Sequence, residues 1–289
     1  MPNSLKQRGI LITGASQGLG RAIAQACLAE GAHILLCARE PQALEQTRGE
    51  LAAAYPGKVL AMPADVSNAA AVKDLAAHAN ANLPNFCGLV NNAGIWGPKG
   101  LVEDVDLEEW KHAIEINLFG VMYTCHHVVP EFRRRGYGKI VNLSGGGATS
   151  PMPHLSAYAA SKAAVVRFTE TLAGEVRAAN IDVNALAPGA LNTKMLDEIL
   201  AAGPDKVGDY YQRALKQKES GGSSLEKAAA LCVHLLTAET DGVSGKLISA
   251  AWDPWDKLAE RRDILATSDV YTLRRIIPAD RGYDWDQNG

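Results

Sequence analysis

Apolar residues run on without polar alternation through seven short stretches, at residues 9–13, 33–38, 59–64, 88–91, 139–143, 181–186 and 246–249. Unbroken aliphatic runs of this length mark strands buried on both faces. Between them the pattern turns helical, with apolar positions three or four apart, as in Ala22, Ile23, Ala26, Cys27 and Leu28. Alternating strand and helix predict right-handed crossovers and a parallel sheet with helices on both faces, its ligands held at the carboxyl ends of the strands. Pro63 constrains the strand order, because proline cannot donate to a sheet ladder and belongs at a strand end or on an edge. The order 3-2-1-4-5-6-7 makes the third strand an edge.

At 289 residues and 47% hydrophobic content the chain buries a sizeable core. We expect one domain over residues 1–250, free of repeats and linkers, then an extension over 251–289 packed on that domain or on a neighbouring subunit. A net charge of -3 and 29 scattered basic residues indicate neither nucleic acid nor an acidic membrane as partner. The N-terminal segment lacks the apolar core of a signal peptide, and no apolar run reaches membrane-spanning length, so a cytoplasmic location is expected. Five cysteines, odd in number and far apart in apolar segments, read as buried thiols. The seven histidines show no ligand spacing, and no metal site is expected.

Candidate chemistry begins at the first strand's end. Gly14, Ser16, Gln17, Gly18, Leu19 and Gly20 lie between that strand and a helix, in the spacing Gly-x-x-x-Gly-x-Gly. Gly14 permits a tight turn, Gly18 lets backbone approach a pyrophosphate, Gly20 allows close helix packing, and the helix N-terminus offers N–H groups to phosphate. Tyr158 and Lys162 stand four residues apart on a helical pattern, which sets a phenol beside an ammonium. Bringing a phenol from its usual pKa of ~10 to neutrality takes ~4 kcal/mol. An ammonium ~4 Å away at an effective dielectric of ~20 supplies about that much. Taken alone, the pair also fits an exposed tyrosine and a surface lysine.

These residues do not stand alone. Asp65 and Val66 follow the third strand, Asn91, Asn92, Ala93 and Gly94 the fourth, and Ser144 the fifth. Asn117 lies between the last two, and Pro188, Gly189, Leu191 and Thr193 follow the sixth strand. In this order the motifs resemble the short-chain dehydrogenase/reductase family across residues 8 to about 249. The resemblance implies a Rossmann-type doubly wound sheet and an NAD(P)-dependent oxidoreductase interconverting a secondary alcohol and a carbonyl. It implies that Ser144 binds the substrate oxygen and Tyr158 transfers the proton. Lys162 would lower the tyrosine pKa and hold the nicotinamide ribose, and Asn117 would anchor a water leading from Lys162 to solvent.

Asp65 is expected to accept from the adenine amino group beside the Val66 backbone, or else to cap the next helix. Asn91, Asn92, Ala93 and Gly94 are expected to line the adenine-side ribose and support the central strand, with Asn92 equally readable as a satisfied buried amide. Arg39, following Ala38 at the second strand's end, matches a 2′-phosphate in charge and fork geometry, so NADP is implied and NAD is the alternative. Otherwise Arg39 pairs with Glu40.

Nucleotide-sugar epimerases and dehydratases share the Tyr-x-x-x-Lys pair but carry Thr-Gly-x-x-Gly-x-x-Gly, which the loop here does not match. A non-catalytic nucleotide-sensing protein would be expected to have lost part of the catalytic set. The substrate is expected to meet Ile95, Trp96, Met152, His154, Leu155, Ala190, Leu191, Met195 and Leu196, with His154 either in contact or solvated. Gly145-Gly146-Gly147 reads as a pliant loop, and residues 192–222 resemble a mobile lid. Helices over 118–134 and 156–179 correspond to those that relatives pair between subunits, implying a homodimer or homotetramer. Beyond the last strand, Trp252 and Trp255 either cap a site or pack on the surface. Arg261-Arg262 and Arg274-Arg275 either meet an anionic substrate or are solvated.

Overall fold

A computed structural model of the chain describes residues 4–284, so the first three residues of the N-terminal segment and the last five of the extension lie outside the described residues. Seven strands form one parallel sheet in the order β3-β2-β1-β4-β5-β6-β7. They are β1 (Gly9–Thr13), β2 (His33–Ala38), β3 (Val59–Pro63), β4 (Phe86–Asn91), β5 (Gly138–Leu143), β6 (Ile181–Ala187) and β7 (Leu247–Ser249). Each predicted strand is present within two residues of its expected ends. Pro63 is the exposed last residue of the edge strand, where its missing N–H leaves no ladder bond unmade.

Crossover helices cover both faces. On one side α1 (Gly18–Ala29), α2 (Pro41–Ala54) and, later in the chain, α10 (Leu225–Leu236) pack on Ile10, Ile12, Ile34 and Leu36. On the other, α3 (Ala69–Asn82), α5 (Gly120–Arg135) and α6 (Ser156–Val176) pack on Leu11, Leu35, Leu89 and Ile140. Neighbouring strand residues thus feed opposite cores, which is why the strands are apolar without alternation. Each fully buried Leu or Ile of this kind contributes ~1.5–3 kcal/mol.

Helix starts are set by local chemistry. Asn68 Oδ1 accepts from the backbone N–H of Ala70 and Ala71 at 3.0 and 3.1 Å, and caps α3. Asp65 is therefore not the cap. Asp106 does the same for α4 (Leu107–Ile114). The helix expected over 118–134 begins later, after a π-helical turn at Glu115–Phe119 that carries Asn117. After β6 come α7 (Lys194–Ala202), α8 (Pro204–Val207) and α9 (Tyr210–Ser220).

Beyond β7 the chain turns back across the sheet edge. Leu258 and Leu265 enter the same core as α1 and α10, the latter from α11 (Arg262–Thr267). Tyr271 O accepts from Leu247 N at 2.8 Å, and the buried Lys246 Nζ donates to Ser268 O and Val270 O at 2.9 and 3.0 Å. This segment occupies ladder positions that an edge strand otherwise leaves open. No helix among the described residues is long and apolar enough to cross a membrane. All five cysteines are buried free thiols.

Candidate active site

A cleft of about 1180 Å³ follows the carboxyl ends of β1, β2, β4, β5 and β6. Gly14, Ser16, Gln17, Gly18 and Leu19 form one wall. Gly14 has a left-handed φ of 64°, and a Cβ there would fall 2.8 Å from Ala93 Cα, so the turn requires glycine. A Cβ on Gly20 would fall 2.5 Å from Asn92 Nδ2. That amide donates to Thr13 O and Gly14 O at 3.0 and 2.9 Å, so Asn92 staples the loop to β4. Among the described residues no side chain caps the N-terminus of α1, and its first N–H groups are open to an anion at the cleft. Thr193 stands opposite, its methyl 3.7 Å from where a Gly18 Cβ would sit.

Farther along the nucleotide limb, Arg39, Val66, Ala93, Gly94, Pro188, Gly189 and Leu191 also line the cleft. Arg39 is exposed and, among the described residues, makes no ion pair, so the expected alternative with Glu40 is not the arrangement found. Asp65, between the cleft-lining Ala64 and Val66, is engaged within its own turn. Its Oδ1 accepts from Ser67 N and Oγ at 2.9 and 2.7 Å. Burial works against ionisation of this carboxyl, but the Ser67 bonds and the Arg39 charge prevail and hold it below the usual range.

At the other limb β5 is followed by Ser144, whose Oγ is buried and has no partner among the described residues. A buried hydroxyl aimed into a cleft without a partner is a binding group in waiting. Tyr158 lies behind it. A Cβ on Gly145 would fall 2.2 Å from the Tyr158 hydroxyl, and one on Gly147 would fall 2.7 Å from Ala159 Cα. Two of the three glycines thus let β5 and α6 approach closely, and the pliancy expected of this loop gives way to packing. Lys162, one turn along α6, donates to Leu143 O at 2.8 Å, with Nζ 5.7 Å from the Tyr158 ring centroid. Asn117 is fully buried: Oδ1 accepts from Ile95 N at 2.8 Å, and Nδ2 donates to Ile95 O and Ser161 Oγ, both at 2.9 Å. Its side chain clamps the loop after β4 to α6, and a Gly94 Cβ would touch both Asn117 Oδ1 and Lys162 Nζ, at 3.2 and 3.4 Å.

The protonation of the pair departs from the expectation based on spacing. Burial, reinforced by the Tyr210 phenol, pushes the Tyr158 pKa well above its ordinary value. Burial also lowers Lys162, to about 8. Desolvation penalises both charged forms.

Over this limb sits the segment expected as a lid. Its Leu196, Ile199, Val207 and Ala214 build a small core with Trp96, Leu155 and Tyr158. Trp96 Nε1 donates to Met195 O at 2.8 Å, and the indole lies on Tyr158 with ring centroids 4.2 Å apart. Tyr210 meets the same indole at 6.0 Å. Ile95, Met152, Ala190, Met195 and Leu196 line the cleft as expected, but His154 and Leu155 do not. His154 has a left-handed φ of 67° and faces Gly208, and Leu155 is fully buried. Tyr210, Arg213 and Gln217 of α9 also line the cleft, and the sequence reading passed over them. Their spacing of three and four residues was the available signal. In the extension, Trp252 is 86% exposed on the cleft rim, whereas Trp255 packs against His234 with centroids 5.7 Å apart. Neither arginine pair reaches the cleft; Arg274 pairs with Asp269 and Asp280, and Arg262 donates to Glu239 O.

Comparison with known proteins accords with this geometry. Residues 8–203 match the family model described as short chain dehydrogenase. The chain is 33% identical over 232 residues to 2-dehydro-3-deoxy-L-rhamnonate dehydrogenase (NAD(+)) of Sphingomonas sp. (strain SKA58), covering 80% of this chain and 89% of that protein. Levodione reductase of Leifsonia aquatica is 31% identical over 246 residues, covering 83% of this chain and 91% of that protein. Among solved structures, a gluconate 5-dehydrogenase from Burkholderia cenocepacia J2315 in complex with NADP and tartrate superposes with a TM-score of 0.75 at 25% identity, covering 85% of this chain and 94% of that one. With the sheet order, the glycine loop and the match over most of its length in agreement, the chain belongs to the short-chain dehydrogenase family and is an NAD(P)-dependent oxidoreductase acting on alcohols.

Proposed function

We propose that the chain interconverts a secondary alcohol and a ketone with NADP as its preferred dinucleotide, and that Tyr158 handles the proton. One observation carries the reading: the Tyr158 hydroxyl abuts Gly145 next to the unpartnered Ser144 Oγ, inside the cleft that begins at the glycine loop. The loop fits the dinucleotide, because Gly14, Gly18 and the open N-terminus of α1 form an anion cradle at one end of a continuous groove. When bound, the dinucleotide supplies or accepts a hydride at its nicotinamide.

The remaining steps fall to this chain's own side chains. Ser144 donates to the substrate oxygen and orients it. Tyr158, kept protonated at neutral pH by burial, passes its proton to that oxygen during reduction and takes one back during oxidation. Lys162, held by Leu143 O, offers a positive charge to the phenolate that reduction leaves behind. Asn117 is a positioning residue that fixes α6 against the loop carrying Ile95. Trp96 and the helices from 194 to 220 keep water from the reacting atoms. Dimers or tetramers formed through α5 and α6 are part of the same proposal.

Consumption of NADPH with a panel of carbonyl compounds tests the activity, and Tyr158→Phe is expected to cost about 10²–10⁴-fold in kcat. Full turnover by that variant would overturn the assignment. Exposed and free of an ion pair among the described residues, Arg39 supports the preference for NADP through a fork of donors matched to a 2′-phosphate. Arg39→Asp is expected to reverse the ratio of kcat/KM for NADPH over NADH; an unchanged ratio refutes that role.

A further inference from the structure

Three residues on one face of α9 line the cleft: Tyr210, Arg213 and Gln217. The outer two are occupied. Tyr210 packs on Trp96 at 6.0 Å, and Gln217 Nε2 donates to Leu191 O at 3.0 Å. Arg213 stands between them, exposed, and among the described residues it makes neither an ion pair nor a hydrogen bond. Its neighbours on the helix are fixed from both sides: Ala214 is buried in the lid core, and Lys218 pairs with Asp197 of α7 at 3.1 Å. A guanidinium carried on an anchored helix is a preorganised fork for a planar anion.

What surrounds it limits the rest of the ligand. Trp96 covers Tyr158, and Met152, Met195 and Leu196 complete an apolar wall, so the carbinol end meets aromatic and thioether surface. Arg213 lies one turn beyond Tyr210, close enough for its charge to act on that phenol. The other cation of the lid that lines the cleft without a partner, Lys194, adjoins Thr193 on the nucleotide limb. The acidic Asp253 on the rim already accepts from Ser249 N at 2.7 Å.

We infer that Arg213 binds a carboxylate of the substrate, making the preferred class an apolar hydroxy or keto acid whose acid group lies away from the reacting carbon. The inference rests on the reading of Tyr158 as the proton donor, since that fixes which end of the ligand reacts.

A matched pair of ketones tests it: 4-oxocyclohexanecarboxylate and its methyl ester, assayed by reduced-dinucleotide oxidation with the full-length protein. The acid is expected to exceed the ester about tenfold in kcat/KM, equivalent to 1.4 kcal/mol, and the margin should shrink as salt is raised. Arg213→Gln should bring the acid to the level of the ester through KM, with kcat held within about twofold, and Arg213→Lys should restore part of the margin. Equal rates for acid and ester in the wild type overturn the inference. So does an Arg213→Gln variant that keeps the preference, or one that depresses acid and ester alike, which is the mark of a structural role. Loss of the preference in Lys194→Gln with Arg213 intact also overturns it. Should neither ketone turn over, dissociation constants of the same pair measured calorimetrically decide by the same ratio. That ratio does not depend on proton transfer, so retention of full turnover by Tyr158→Phe would sink the catalytic reading and leave the acid preference standing.

Discussion

Gly145→Ala separates the packing of the site from its chemistry. The backbone at Gly145 is extended, with φ -173° and ψ 172°, a conformation open to any residue, so only the added methyl matters. That methyl would lie 2.2 Å from the Tyr158 hydroxyl and 3.0 Å from Cζ. Relief cannot come easily from the loop, because Ser144 N is bonded to Leu186 O at 2.8 Å and Ala148 N to Gly145 O at 3.0 Å. The Trp96 indole also crowds the ring, with centroids 4.2 Å apart and planes tilted by 48°. The hydroxyl must shift by about 1 Å to regain an ordinary contact. Overpacking of this kind costs ~1–3 kcal/mol of stability, while a displacement of ~1 Å at a reacting group costs about 10²-fold in rate. Gly146→Ala is the matched control, since a Cβ there meets nothing within 4 Å. Steady-state ketone reduction and urea denaturation of both variants supply the comparison. We expect Gly145→Ala to lose about 100-fold in kcat while still folding, and Gly146→Ala to stay within about 0.5 kcal/mol of the parent with its rate unchanged. Full kcat in Gly145→Ala, or equal losses in the two variants, would refute the placement of Tyr158 against the glycine loop.

The pH dependence follows from Lys162, which burial lowers from 10.5 to about 8. Below that value the ammonium is present and supports the phenolate, so kcat/KM for reduction is expected to fall as pH rises through about 8; a flat profile to pH ~10 contradicts the role. The same group makes stability increase with pH between about 8 and 10.5, because the unfolded chain then holds the proton that the folded one has released. At the opposite end of the sheet, Lys139 Nζ lies 2.7 Å from both Asp182 and Asp241 and is 1% exposed. Lys139→Met leaves the Asp182 carboxylate without its counter-ion and should cost ~3–5 kcal/mol in urea denaturation, with kcat per folded molecule unchanged. Deletion of everything after Asp256 removes Leu258 and Leu265 from the core, each worth ~1.5–3 kcal/mol, and bares the β7 edge; an unchanged melting temperature would show that the extension does not belong to this fold.

Much of the architecture is legible in the chain because parallel strands buried on two faces leave an unmistakable apolar run, and Pro63 alone assigns an edge. The nucleotide limb is legible for a similar reason: Gly14 and Gly20 stand where backbone or an amide approaches too closely for a Cβ, and such places admit one residue type. The substrate limb is written differently. Residues 192–222 read as mobile because they are polar and glycine-bearing, yet their few apolar side chains close a core with Trp96 and Leu155, which are distant in sequence. Only that closure aims Arg213 at the cleft.

Tyr158 makes the same point about chemistry. Spacing along α6 finds its partner Lys162 but says nothing of the solvent that the phenol has lost. Trp96 from the loop after β4 packs on the phenol and Tyr210 from α9 on Trp96, and burial, reinforced by Tyr210, raises its pKa where the pair alone suggests a lowering. A phenol kept protonated by distant aromatic residues is a donor first and becomes a base only when charge nearby makes up for the water it lacks. By this argument the aromatic lid sets the protonation of Tyr158 as well as enclosing the substrate. Substitutions at Tyr210 should therefore move the pH profile, an effect that a purely steric lid would not have.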